Sequence, residues 1–206
     1  MTERLAMFPL GSVLVPHMLL PLRVFEPRYL QMIHHLQAEG GEFGVVLIER
    51  GFEVGGGDAR FDVGTIARII EISELEGGHL LVLAAGVRRA RVREWLDDDP
   101  YPQALVERLD DDPPNGSMGE EIAQLERSLR RSFGLMSELG YDVGTFETEI
   151  ADDPVIAGYQ GITLAPLSMM DRQDLLETDD AEQRLRNVLE MIDVQIDVFQ
   201  QQLAGG

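Results

Sequence analysis

The sequence predicts an α+β protein in two parts, β-rich over residues 1–112 and helical over residues 117–206. Three observations carry that reading. Short apolar runs separated by Gly-rich turns occupy the first part. A charge-dense break follows, Asp110-Asp111-Asp112-Pro113-Pro114-Asn115-Gly116. Beyond the break the apolar spacing becomes that of a helix.

In the first part, Pro27 stands near the start of a helix read over Arg28–Ala38. Tyr29, Ile33 and Leu36 fall at helical spacing, and Gly40-Gly41 stop it. Phe43–Glu49 is an apolar run fit for a buried strand. Thr65–Leu75 and His79–Ala85 flank Glu76-Gly77-Gly78 and read as a hairpin. Val87–Leu96 alternates, with Ala90 and Val92 on one face and Arg89, Arg91, Arg93 and Trp95 on the other. Gln103–Leu109 is a further strand candidate. Strands at this spacing point to a small barrel or rolled sheet.

In the second part, Ser117 and Glu120 have the spacing of a capping box. Ile122, Leu125, Leu129, Phe133 and Met136 then form a stripe that ends at Gly140. Asp153-Pro154 reads as an N-cap followed by Pro at the first helical position. Ser168 caps a helix through Glu177. Asp180, with Gln183 three residues on, opens a long helix striped by Leu185, Val188, Ile192, Ile196, Phe199 and Leu203.

Composition excludes several chemistries. None of the 206 residues is Cys, which removes thiolate nucleophiles, disulfides and Cys-ligated metals. None is Lys either, so all 17 basic residues are Arg. A Walker A loop and a Ser–Lys peptidase both need a Lys, and Schiff-base chemistry needs an amine. Against 37 acidic residues the net charge is -20, a field that repels nucleic acid and anionic membranes. No apolar run approaches the roughly 18 residues of a membrane span. The N-terminus shows no apolar secretory segment, so a cytoplasmic location is expected.

Few residues are candidates for chemistry. His34 and His35 are neighbours on a helix and point about 100° apart, a poor geometry for one metal. His17 and His79 stand alone, and no metal-binding spacing is present. Asp97–Asp99 and Asp110–Asp112 lack the ladder of a cation loop and read as solvated loop ends. Gly55-Gly56-Gly57 reads as a turn, not a phosphate loop. No catalytic residue, metal or cofactor is expected. Arg88, Arg89, Arg91 and Arg93 have three readings: a strand face neutralised by neighbouring acids, a stripe that docks carboxylates or other anions, or a nucleic-acid contact.

The stretch Met7–Tyr29, MFPLGSVLVPHMLLPLRVFEPRY, resembles the opening of the N-terminal substrate-recognition domain of Lon ATP-dependent proteases. Val63–Ile69, Gly86–Val92 and Leu175-Leu176-Glu177 agree with the family in the same order. The resemblance covers about residues 5–203 and is closest to stand-alone members. It implies a PUA-like pseudo-barrel followed by a helical bundle, and binding of unfolded or partly unfolded protein segments. The ATPase and peptidase modules are expected to be absent from this chain, which ends at Gly206 and lacks Lys. A hydrolase, and an RNA binder by fold analogy, are the alternatives. Pro9 and Pro16 are expected to fix turns around the first strand, and Phe25 and Tyr29 to pack where strand meets helix. Glu26 is expected to cap the first helical turn, Arg28 to pair with it or with a carbonyl, and Gly64 and Gly86 to serve tight backbone geometry. His17 departs from the family, which has Gly after Pro16; a positive-φ turn there would have to be adopted or avoided by His.

Overall fold

The computed structural model describes residues 1–39, 41–50, 59–144 and 146–205. The Gly55–Gly57 stretch, read as a turn from the sequence, lies outside the described residues. The chain divides into two compact units, Met1–Asp110 and Asp111–Gly206. It is a mixed α+β structure with one six-stranded sheet and five α-helices among the described residues.

The first unit holds β1 (Thr2–Leu10), β2 (Leu19–Val24), α1 (Pro27–Glu39), β3 (Glu42–Arg50), β4 (Ala59–Glu74), β5 (Leu80–Trp95) and β6 (Gln103–Arg108). The sheet order is β2-β5-β4-β3-β1-β6, and β5 also pairs with β6. Five strands therefore close into a ring, β5-β4-β3-β1-β6, while β2 attaches to the first half of β5, its one partner among the described residues. The 16 residues of β5 make this possible: Leu80–Ala85 pair with β2 and Ala90–Trp95 with β6. The sequence reading broke this strand at Gly86; the chain instead continues through it, with a register shift beside Val87.

Strand alternation splits the core in two. Leu5 and Met7 of β1 point into the ring with Val46, Ile66, Ala90, Val92, Ala104 and Val106. Phe8 and Leu10 point the other way, onto α1. Helix α1 buries Tyr29, Met32, Ile33 and Leu36 there, each worth about 1.5–3 kcal/mol of apolar transfer. The Phe8 and Tyr29 rings stack at 4.1 Å. Phe43–Leu47 of β3 is buried on both faces, Phe43 and Val45 in the cluster with α1 and Val46 inside the ring, while its edges pair parallel with β1 and antiparallel with β4.

Pro9 does not mark a turn as expected; it lies within β1, opposite Val46. Met7 N–H donates to the Pro102 carbonyl at 2.8 Å, so the N–H that Pro9 lacks would point the same way, past the last β6 partner. Pro16 does sit in a turn. Met18 N–H reaches the Val15 carbonyl at 3.4 Å, and His17 takes φ 66° as its third residue. That left-handed backbone strains an L-residue. His17→Gly is expected to raise stability by about 0.5–1 kcal/mol, read as a higher urea midpoint at unchanged m-value. An unchanged or lower midpoint would show that the His side chain holds this turn.

The second unit holds α2 (Gly119–Glu138), α3 (Pro154–Leu164), α4 (Met169–Glu177) and α5 (Ala181–Gly205). Asp153 caps α3 by accepting from the N–H groups of Val155 and Ile156. Ser168 and Asp171 form a full capping box on α4, and Asp180 accepts from Gln183 N–H at the start of α5. The Ser117 box does not form. Buried Met118 takes the N-cap position of α2 without a side-chain hydrogen bond, so Ser117 falls one residue outside the helix. Leu185, Val188, Ile192, Ile196 and Phe199 of α5 are buried, whereas Leu203, near the helix end, is exposed.

The acidic break is not simply solvated. Asp111 Oδ1 accepts from Tyr159 Oη at 2.7 Å and from Arg184 Nη2 at 2.6 Å. Asp112 exchanges backbone bonds with Asp179 and Ala181. The reading of Asp110–Asp112 as solvated loop ends is thereby corrected for Asp111.

Candidate peptide-binding surface

The four Arg of β5 do not form one surface. Arg89 is fully buried, with its Nη2 donating to the Asp110 carbonyl at 2.9 Å. It cannot offer its fork to a ligand, which corrects its place on an exposed strand face. Alternation does put it on the side opposite buried Ala90 and Val92, but the segment leading to Asp110 covers that side at this point. Arg88 meets Asp110 at 3.2 Å. Arg93 donates two hydrogen bonds to Glu107, which hold that carboxyl below its usual range. Arg91 is half-buried and lies across from Glu107 and Val63. Near the same ring, burial works against the Glu42 carboxylate, but hydrogen bonds from Arg68 and Arg108 outweigh it and lower its pKa. Cations and carboxylates here largely satisfy one another.

A different surface emerges at β2. Gly86 N–H donates to the Met18 carbonyl at 2.8 Å, so Met18 faces β5. Backbone direction alternates along a strand, so Leu20, Leu22 and Val24 also face β5. Leu19, Pro21 and Arg23 then face away, along an edge with no strand partner among the described residues. Pro21 removes one donor from that edge.

The side chains of this strand are apolar on both faces. Leu22 and Val24 are buried. Leu19, Pro21 and Arg23 are exposed and lie across from Ala85, Leu83 and Leu81 of β5. Cross-strand partners share a face, so this outer face is a ladder of apolar pairs with Arg23 at its end. Leu19 is 62% exposed and Leu81 44%. Ile70, in the bulge of β4 beside Leu83, is 56% exposed.

A recess of about 190 Å³ adjoins the same edge. Phe8 and Leu10 of β1, Pro21–Val24 of β2, and Phe25, Glu26 and Tyr29 line it. Both strands carry a proline here, Pro9 and Pro21, each with its missing N–H on the open side. Tyr29 is buried as expected, but Phe25 is 49% exposed and rests near the His79 ring at 6.2 Å. Glu26 pairs with Arg28 at 3.1 Å, and the Arg28 guanidinium lies 4.5 Å from the Tyr29 ring centre. The Glu26 carbonyl accepts from the Tyr29 and Leu30 N–H groups at the first turn of α1.

The two glycines of the family motif sit under close backbone. A Cβ on Gly64 would lie 2.1 Å from the Val45 carbonyl oxygen, and one on Gly86 2.3 Å from that of Val15. The histidines are dispersed: His34 and His35 are exposed on α1, and His35 Nδ1 lies 3.1 Å from Tyr101 Oη. Among the described residues no cluster of three His, Asp or Glu side chains converges on a metal position. Among them no helix is long and apolar enough to cross a membrane.

Sequence reasoning missed the β2 edge. Its signal was the alternation in Leu19-Leu20-Pro21-Leu22-Arg23-Val24 with an interior Pro, the mark of an edge strand.

Known proteins place these features in a family. Residues 4–194 match the model of the ATP-dependent protease La (LON) substrate-binding domain. The chain is 27% identical over 194 residues to Lon protease 2 of Sorangium cellulosum, covering 92% of this chain and 24% of that protein. It is 29% identical over 202 residues to Lon protease 2 of Thermus thermophilus, at 93% and 24% coverage. It therefore spans about a quarter of the length of these relatives. A crystal structure of a Lon N-terminal domain protein from Xanthomonas campestris superposes with a TM-score of 0.68 and 31% identity, covering 91% of this chain and 98% of that one. The N-terminal domain of a Mycobacterium avium complex Lon protease shares the fold at a TM-score of 0.61 and 18% identity, at 93% and 98% coverage. With its FPL…LPLRVFEPRY opening placed along one β-edge and the helix that follows, the chain belongs to the Lon substrate-binding domain family.

Proposed function

We propose that this protein is a non-catalytic module that binds unfolded or partly unfolded protein segments along the outer edge and face of β2. The observation that carries this is the β2 edge, unpaired among the described residues, beside the Leu19, Pro21, Leu81 and Leu83 face. An extended segment presents unpaired backbone groups and apolar side chains, and it can add to such an edge as a further strand. Leu19 and Arg23 keep their edge-facing N–H groups, and the Arg23 fork takes a carboxylate from the client. Lack of Lys and Cys supports a binding role over hydrolysis. The net charge of -20 disfavours nucleic acid and acidic clients and speeds the arrival of basic ones. We read the closed ring of strands as a PUA-like pseudo-barrel, the helical unit as a bundle, and the protein as a cytoplasmic adaptor in protein quality control.

The test is fluorescence anisotropy with a permanently unfolded, alkylated protein chain and no ATP. Leu19→Ser/Leu81→Ser is expected to weaken binding about tenfold or more, because both side chains are lost from the contact face. Arg88→Ala/Arg93→Ala is expected to change it little. The reverse ranking would return the site to the β5 arginines.

A further inference from the structure

Helix α5 is more apolar than its own unit requires. One line, Leu185, Val188, Ile192, Ile196 and Phe199, fills the core. A second line, Met191, Val194 and Val198, recurs at steps of three and four on another side. Val194 is 60% exposed and Val198 39%. A recess of about 400 Å³ opens on this second line, against α4 and the segment before it. Leu167, Met191 and Val194 form its apolar wall, and Asp171 and Glu190 stand in its polar wall with no cation among the lining residues.

The charge around it is mainly acidic. Asp174 lies one turn from Asp171 on α4, and Asp197 one turn from Val194 on α5; both are exposed. The nearby cations are engaged elsewhere. Arg172 donates to the carbonyls of Thr163, Ala165 and Leu167, and Arg186 pairs with Glu121 and Glu182. Past Gly116 the chain carries 18 acidic residues and 6 Arg.

We propose that the α4–α5 recess docks a basic amphipathic helix of a partner protein. Its apolar stripe seats against Leu167, Met191 and Val194, and its flanking Lys or Arg meet Asp171 and Glu190. A furrow between two helices accepts a third helix through apolar anchors one turn apart. A second copy of this chain is the poorer occupant, because it would bring the same acids against themselves. The recess shares no residue with the β2 edge.

The experiment uses the full chain with methyl-labelled Met and Val, followed by NMR. The probe is a synthetic Leu/Lys amphipathic helix, with a Leu/Glu helix of the same pattern as control. The Leu/Lys helix is expected to shift the Met191 and Val194 methyl signals. Val194→Arg is expected to weaken its binding about tenfold, since it places like charge in the contact. Glu190→Gln gives a milder loss in a variant that keeps the side-chain shape. Leu19→Ser/Leu81→Ser is expected to leave this binding unchanged, which separates it from client binding. The proposal is overturned if the shifts bypass Met191 and Val194, if the Leu/Glu helix binds as well, or if Val194→Arg has no effect. Self-association in sedimentation that Val194→Arg abolishes would also overturn it, since the recess would then belong to a second copy.

Discussion

Asp111→Ala is expected to destabilise the helical unit by about 3–5 kcal/mol, the usual cost of leaving a buried charge without its partner. Arg184 is fully buried, and its Nη2 reaches Asp111 at 2.6 Å and the Thr178 carbonyl at 2.6 Å. Its guanidinium also lies 4.4 Å from the ring centre of Tyr159, whose hydroxyl bonds the same carboxylate. Removing Asp111 takes away the only anion in this set and one partner of the Tyr159 hydroxyl. The carbonyl bonds of Arg184 remain but carry no full charge. Urea unfolding followed by far-UV circular dichroism reads the loss directly. Arg184→Met/Asp111→Ala should recover part of it, because a pair removed together leaves no orphaned charge. A loss under about 1 kcal/mol for Asp111→Ala would mean that water solvates Arg184 in the variant.

Gly64→Ala is expected to cost the β unit about 2–3 kcal/mol or more, the range for forcing atoms into a packed core. The added methyl would sit 2.1 Å from the Val45 carbonyl oxygen and 2.7 Å from Val46 Cγ1. Val45 belongs to β3, which is paired on both edges and buried on both faces, so its backbone has nowhere to move. Gly44→Ala is the internal comparison. Its methyl would meet Met7 Sδ at 2.5 Å, the far end of a flexible side chain that can change rotamer. The Gly64 substitution should therefore lower the urea midpoint well below the Gly44 one. Equal midpoints would show that β3 and β4 separate more easily than their register implies.

Several elements were legible because their causes are local. Asp153-Pro154, Ser168 with Asp171, and Asp180 with Gln183 each start a helix by bonding the first free N–H groups, and those contacts span only two or three residues. The stripe of α5 was legible down to Phe199 for a similar reason, since period alone specifies which side is buried. Where a cap competed with burial, burial won. Met118 entered the core and displaced the Ser117 box. The positive φ at His17 was posed by the departure from the family motif, but only the turn between Val15 and Met18 showed that His adopts it.

Composition alone determined the absence of Lys and Cys chemistry and the acidic field, and apolar spacing the change from strand to helix period after the acidic break. The FPL…FEPRY opening by itself pointed to the family. Tertiary structure decided where the arginines go. Alternation grouped Arg89 with Arg91 and Arg93, but only the segment ending at Asp110 buried the first and left the third to Glu107. It also decided that Asp111 is half of a buried pair, because Arg184 lies 73 residues away. Above all, it left β2 with one neighbour among the described residues. Edge status depends on which strands meet across the whole sheet, and the six residues of β2 carry no record of that beyond a proline.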